Sequence, residues 1–284
     1  MFHFVHNSLH WGTKVKESQV LSTIISARRR RVEEMRASVP LDRLRQAAEL
    51  RSDFRDFATA LSGEALSVIA EIKKASPSRG LLRSDFRPRE ISESYQQAGA
   101  SAISVLTEED FFQGAIEDMK AVRGAVGLPV LRKDFILDEY QVYESVAAGA
   151  DAFLLIVAAL EDKDLKHFLR LSERLRVTAL VEVHVVEELD RAIGAGAQII
   201  GVNNRNLNNL EVSLDTSFRL REKIPSTCLA VSESGIKTGR DLDSLAKAGY
   251  NAVLIGEHLM LSDDPGEELS RLLKSAPTIK MAGA

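Results

Sequence analysis

From Val68 onward, two hydrophobic patterns alternate along the chain. One is a short, nearly continuous apolar run; the other is a longer stretch with apolar residues three or four apart. The short runs are VIAEIKK (from Val68), SAISVLTE (Ser101), PVLRKDF (Pro129), AFLLIVA (Ala152), TALVEVH (Thr178), IIGVNNR (Ile199), LAVSESG (Leu229) and AVLIGEH (Ala252). Each predicts a strand buried on both faces. The stretches between them predict amphipathic helices. In PREISESYQQAGA, Ile91 and Tyr95 lie four apart, and Pro88 suits a helix first turn. Strands alternating with helices predict a parallel sheet.

A weak repeat narrows the topology. Ala-Gly-Ala occurs at 98–100, 148–150 and 195–197, with Ala248-Gly249-Tyr250 as a variant. Each precedes an even-numbered strand, where glycine fits a helix C-cap. The period marks a unit of two strands and two helices repeated four times. Eight strand–helix units predict an α/β fold, a (β/α)8 TIM barrel. An open doubly wound sheet is the alternative, but GxGxxG after strand one is absent.

Residues 1–65 fall outside this alternation and predict an N-terminal tail and helical extension, leaving 66–284 as the catalytic barrel. Val20, Ile24, Ile25 and Val32 suit one helix face. Arg28 to Arg31, beside Glu33 and Glu34, reads as a solvated face in preference to an anion patch. Residues 1–18 are expected to be disordered, with His3, His6 and His10 as tail residues and no metal site.

Composition excludes several classes. Of 284 residues, 45% are hydrophobic and 27% charged, with net charge −4, an ordinary globular balance offering no broad attraction to nucleic acid or an anionic membrane. The longest apolar run, Ala152 to Leu160, is too short to span a bilayer. MFHFVHNSLHWG lacks the form of a signal peptide, so a cytoplasmic location is expected. The single cysteine, Cys228, excludes an intrachain disulfide and reads as a small residue packed before strand seven.

Barrel enzymes place their chemistry at the C-terminal ends of the strands. Those ends carry Glu71 and Lys73, Lys133 and Asp134, Glu182 and His184, Asn203, Asn204 and Arg205, then Glu233 and Ser234. Lysines and glutamates converging on one mouth suit acid–base catalysis and carbonyl polarisation. The competing reading is a ring of structural ion pairs. SESGIKT and IGEHLM place Gly235 and Gly256 after strands seven and eight. There the backbone amides of Ser234, Gly235, Gly256 and Glu257 would form a phosphate site, provided the Glu257 side chain turns away.

At these residues the chain resembles the indole-3-glycerol phosphate synthase family. The matching segments are EIKKASPSRG, SVLTEEDFFQG, LRKDFILDEYQ, LVEVH, IGVNNRNL, VSESGI and LIGEHLM. The resemblance spans about residues 20–270, and KKASPS followed by KDFI is its most specific part. It implies a phosphorylated small-molecule substrate, 1-(2-carboxyphenylamino)-1-deoxyribulose 5-phosphate. This would be cyclised with loss of CO₂ and water, with no cofactor.

The resemblance also implies residue roles. Lys133 would be the acid for ring closure. Glu182 and Lys73 would serve dehydration, with Glu71 and Asn203 orienting them; which lysine serves which step stays open. Lys73, Ser76 and Arg205 would hold the anthranilate carboxylate, and Phe112 its ring. Glu233 and Ser234 would meet hydroxyl and phosphate groups. His258 departs from the small residue usual there and would change the rim of the site. A monomer or weak homo-oligomer, with transient contact to other tryptophan-pathway enzymes, is expected. The chain ends soon after strand eight, so no fused second enzyme is expected. The alternatives are a sugar-phosphate isomerase on the same kind of barrel and a non-catalytic phosphometabolite-binding barrel.

Overall fold

Eight parallel strands close into a barrel in a computed structural model that describes residues 20–206 and 210–276. The strands are β1 (Ser67–Ile72), β2 (Ala102–Leu106), β3 (Val130–Lys133), β4 (Ala152–Ile156), β5 (Thr178–Val183), β6 (Ile199–Asn203), β7 (Leu229–Glu233) and β8 (Ala252–Ile255). Each pairs with the next in sequence, and β8 pairs back to β1. All eight coincide with the predicted runs. The histidines of the tail and the fate of residues 1–18 lie outside the described residues.

Two shells of apolar side chains hold the barrel. Ile69, Ala102, Leu131, Leu154, Leu180, Ile199, Val231 and Leu254 point inward and pack on one another. Their sequence neighbours, such as Val68, Ile103, Val181 and Val183, pack outward on the helices. This is the period of two expected of a strand. The repeated glycines do what the repeat implied: Gly99, Gly149, Gly196 and Gly249 have φ between 88° and 98°, a region where a Cβ is disfavoured. Pro88 begins the helix that follows β1, Pro88–Ala98.

Three helices precede β1: α1 (Val20–Ser38), α2 (Leu41–Leu50) and α3 (Phe57–Leu61). Phe57 and Leu61 of α3 are fully buried in the inner shell, where they plug the barrel floor. Burying each contributes roughly 1.5–3 kcal/mol. The floor is therefore closed by apolar packing, and the polar residues collect at the other end.

The arginine run corrects an expectation. Ile24, Arg28 and Val32 are spaced four apart on one face of α1, and all three are buried. Arg28 is not solvated: its Nη1 reaches Glu109 Oε2 at 2.5 Å and its Nη2 reaches Asp134 Oδ2 at 2.6 Å. The helix stripe that packs on the barrel includes a cation because two acids lie beneath it. A buried guanidinium needs such partners. Arg29 and Arg30 are exposed as the run suggested.

Candidate active site

The C-terminal mouth of the barrel opens into a cavity of about 730 Å³. Strand register builds it. Pairing sets Glu71 beside Ser104, Leu106 beside Lys133, Glu182 beside Gly201, and Asn203 beside Glu233. These polar residues form the layer directly above the apolar inner shell. Two glycines make room for them. A Cβ on Gly201 would collide with Glu233 Oε1, and one on Gly256 with Glu71 Oε1.

Lys133 is the centre of the layer. Its Nζ lies 3.0 Å from Glu182 Oε2 and 3.5 Å from Glu233 Oε2. Burial works against its charge, but Glu182, Glu233 and Glu71 outweigh burial and hold the ammonium above its ordinary range. Burial likewise opposes ionisation of Glu182, yet Lys133 and His184 hold that carboxyl below the usual range. Glu233 goes the other way. Burial, with the charges of Glu182 and Glu71, raises it despite Lys133. Its two oxygens find no well-aligned hydrogen-bond partner. One ammonium, one carboxylate held ionised and one carboxyl biased towards its proton thus share a single pocket. Beside them, Lys73 Nζ is 2.6 Å from Glu71 Oε1.

The walls are partly aromatic. Phe112 and Phe135 line the cavity, their rings tilted with centroids 6.3 Å apart. Glu108 fixes the first: its carboxylate accepts from the backbone N–H groups of Asp110, Phe111 and Phe112 at 2.8–3.1 Å. The ribbon formed by Ala75–Ser76 and Gly80–Leu81 folds beside this wall, and Ala75 N donates to Phe112 O at 3.2 Å.

Of the residues singled out in the sequence, Glu71, Lys73, Phe112, Lys133, Glu182, Asn203, Arg205, Glu233, Ser234, Gly235, Gly256 and Glu257 all line the cavity. Ser76 lines an adjoining pocket of about 100 Å³ together with Lys73, Phe112, Phe135 and Arg205. The Glu257 side chain is drawn sideways, with Oε2 3.1 Å from Arg205 Nη2 and Oε1 3.4 Å from Arg79 Nε. Asp134 touches the cavity rim, but its carboxylate is taken by Arg28, Arg132 and Thr107, so it anchors the turn after β3. His258 lines the rim and is held by Glu268 at 2.6 Å. Cys228 is half-buried just before β7, as its position suggested.

Sequence reading passed over Phe135 and Arg79. A signal for Phe135 was present, since it stands two residues after Lys133. Nothing local marked Arg79, whose partner Glu257 is far along the chain.

His184 has a consequence for stability. Its Nδ1 is 3.0 Å from Glu188 Oε2 and its Nε2 3.4 Å from Glu182 Oε1. Burial opposes the imidazolium, but the two carboxylates prevail and push it up to about 9. A raised folded-state value means stability is fully present below the unfolded value of about 6.5 and lost as pH rises through about 9. Urea unfolding across that window should show the parent losing on the order of 1–3 kcal/mol more than His184→Gln. Equal losses would mean that His184 is not held protonated.

A family model described as indole-3-glycerol phosphate synthase matches residues 21–272. The chain belongs to the indole-3-glycerol phosphate synthase family. A synthase of that name from Polaromonas naphthalenivorans is 48% identical over 259 residues, covering 90% of this chain and 98% of the relative. Another from Chloroherpeton thalassium is 51% identical, covering 86% and 95%. Solved structures show the same fold at low identity. Thiamine phosphate pyrophosphorylase from Pyrococcus furiosus has a TM-score of 0.57 at 16% identity, over 76% of this chain and 97% of its own. For 3-hexulose-6-phosphate synthase from Salmonella typhimurium the TM-score is 0.57 at 14% identity, over 74% and 100%. Among the described residues, no helix is long and apolar enough to cross a membrane.

Proposed function

We propose that the chain converts 1-(2-carboxyphenylamino)-1-deoxyribulose 5-phosphate into indole-3-glycerol phosphate, CO₂ and water. This is a carboxy-lyase step of tryptophan biosynthesis, carried out in the cytoplasm. The observation that carries the reading is the Lys133–Glu182 pair, 3.0 Å apart in a cavity walled by Phe112 and Phe135. Family membership supplies the substrate class.

The chemistry follows from the charges. Ring closure joins the aromatic carbon bearing the carboxylate to the ribulose C2 carbonyl carbon, and the carbonyl oxygen gains charge. An ammonium held protonated suits that oxygen, first as a hydrogen-bond donor and then as a proton source. A Schiff-base role would need a neutral amine, which the surrounding carboxylates oppose. Loss of CO₂ returns its bonding pair to the ring. Dehydration then expels the C2 oxygen as water and removes one proton. Glu182, ionised and next to Lys133, suits the base, while Lys73 or Lys133 supplies the acid. Glu71 and Asn203 orient these groups. Phe112 and Phe135 would pack on the anthranilate ring, and Lys73, Ser76 and Arg205 would hold its carboxylate. Glu233, biased towards its proton, suits a substrate hydroxyl.

The amides of Ser234, Gly235, Gly256 and Glu257 would hold the phosphate. Gly235 has φ 85°, and a Cβ there would lie 2.7 Å from Val212 Cγ1. Gly235→Asp therefore shifts the turn and adds an anion. KM should rise by about 10-fold or more with an unchanged far-UV circular dichroism spectrum, since each tenfold corresponds to only about 1.4 kcal/mol. Inorganic phosphate that competes equally well in mutant and parent would exclude phosphate from this turn.

Product analysis separates this reading from its rivals. A synthase yields a product lacking one CO₂ and one water, an isomerase yields an isomer, and a binding barrel returns the substrate unchanged.

A further inference from the structure

Asn204 stands one residue beyond β6, is buried, and lines neither cavity. Its carboxamide is fully engaged. The two N–H hydrogens of Nδ2 serve three acceptors, one hydrogen being shared: Ser232 Oγ at 3.1 Å, Glu233 O at 3.0 Å and Ser234 O at 3.1 Å. Oδ1 accepts from Ser217 N at 3.0 Å. The orientation is unambiguous, because a backbone N–H can only donate and the two carbonyls can only accept. The Asn204 backbone N–H adds a further bond to Glu233 O at 2.9 Å.

The turn it grips is strained. Ser234 has φ 68° and Gly235 φ 85°, two successive left-handed residues, the first with a Cβ. Such a conformation persists only where its surroundings over-determine it. In a trans peptide the C=O and the N–H of one plane point in opposite directions, and the chain has no cis bonds among the described residues. Drawing the carbonyls of Glu233 and Ser234 back onto Asn204 therefore aims the N–H groups of Ser234 and Gly235 away from it. Both of those residues line the cavity.

We propose that Asn204 is the positioning residue of the phosphate turn, clamping two carbonyls from behind so that two amides face the ligand. This rests on the reading of that turn as the phosphate subsite. Asn204 lines neither cavity, so its effect should appear in binding and not in chemistry. The same grip on Glu233 O sets the backbone from which the Glu233 side chain departs, but that carboxyl is also held by Lys133.

The cluster supplies its own control. Tyr250 OH donates to Ser217 O at 2.8 Å, and Ser217 Oγ meets Ser232 Oγ at 2.7 Å. Tyr250→Phe removes a bond from the same buried group without touching the turn. KM, kcat and inhibition by inorganic phosphate would be measured for the parent, Asn204→Ala, Asn204→Ser and Tyr250→Phe, with Tm for each. Asn204→Ala should raise KM and the phosphate inhibition constant together by about 10-fold or more, with kcat within about threefold. Asn204→Ser, which keeps one donor, should fall between it and the parent, and remains informative if the alanine variant does not fold. Tyr250→Phe should lower Tm and leave both constants unchanged. The inference is overturned if a folded Asn204 variant keeps the parent's KM and phosphate inhibition, or if Tyr250→Phe raises them equally. Failure of phosphate to compete in the parent would instead overturn the phosphate subsite itself.

Discussion

Lys133→Ala should lose roughly 10²-fold or more in kcat, the usual scale of a lost general acid, with KM changed only a few-fold. The lysine pairs with Glu182 and Glu233 at 3.0 and 3.5 Å and feels the charge of Glu71 as well. Without it the acid assigned to the ring-closure oxygen is gone, and Lys73, which remains in the cavity, is paired with Glu71. Stability should change in a pH-dependent way as well. Breaking a buried pair leaves an uncompensated charge, typically worth about 3–5 kcal/mol. Here Glu182 and Glu233 can relieve this by taking up protons. In the mutant, burial raises their folded-state values above the unfolded ones. Their stability contribution is then present at low pH and lost as pH rises. Tm should therefore fall more steeply between about pH 5 and 8 than in the parent. Near-parental turnover in a folded Lys133→Ala protein would remove Lys133 from the mechanism.

Glu182→Gln should lower kcat by a similar factor, roughly 10²-fold or more, while substrate still binds. The amide keeps the shape of the side chain and a hydrogen bond to Lys133, but it cannot take a proton. Single-turnover measurement divides the possibilities, because it follows bound substrate only. A mutant that binds poorly yet converts bound substrate at the parental rate would make Glu182 a positioning residue. The parental pH profile bears on the same point. Glu182 is held below the ordinary carboxyl range by Lys133 and His184. Its protonation should therefore not limit activity until well into the acid range, and an activity loss near neutrality would point to another group.

Much of this site was legible in the sequence because barrel strands obey a period of two. Once Val181 and Val183 were placed outward, Glu182 had to point inward. The same rule put Glu71 and Lys73 on one side of the first predicted strand. The features that escaped are those set by contacts distant in sequence. Arg28 looked like part of a solvated run because its acidic partners, Glu109 and Asp134, lie 81 and 106 residues away. Arg79 and Glu257 meet across the mouth for a similar reason. Gly201 and Gly256 sat in strand-like runs with nothing local to show which carboxylate each accommodates. The ordering of proton affinities round Lys133 depends on burial and on three charges at once, which no spacing along the chain encodes.

The measurement closest to the central claim is the appearance of indole fluorescence when 1-(2-carboxyphenylamino)-1-deoxyribulose 5-phosphate is added to the purified chain. Lys133→Ala would be run beside it. The account predicts a rise in the parent that matches the CO₂ released, and a rate at least about 10²-fold lower in the mutant. No indole signal from folded parent protein, or equal rates in the two proteins, would contradict it.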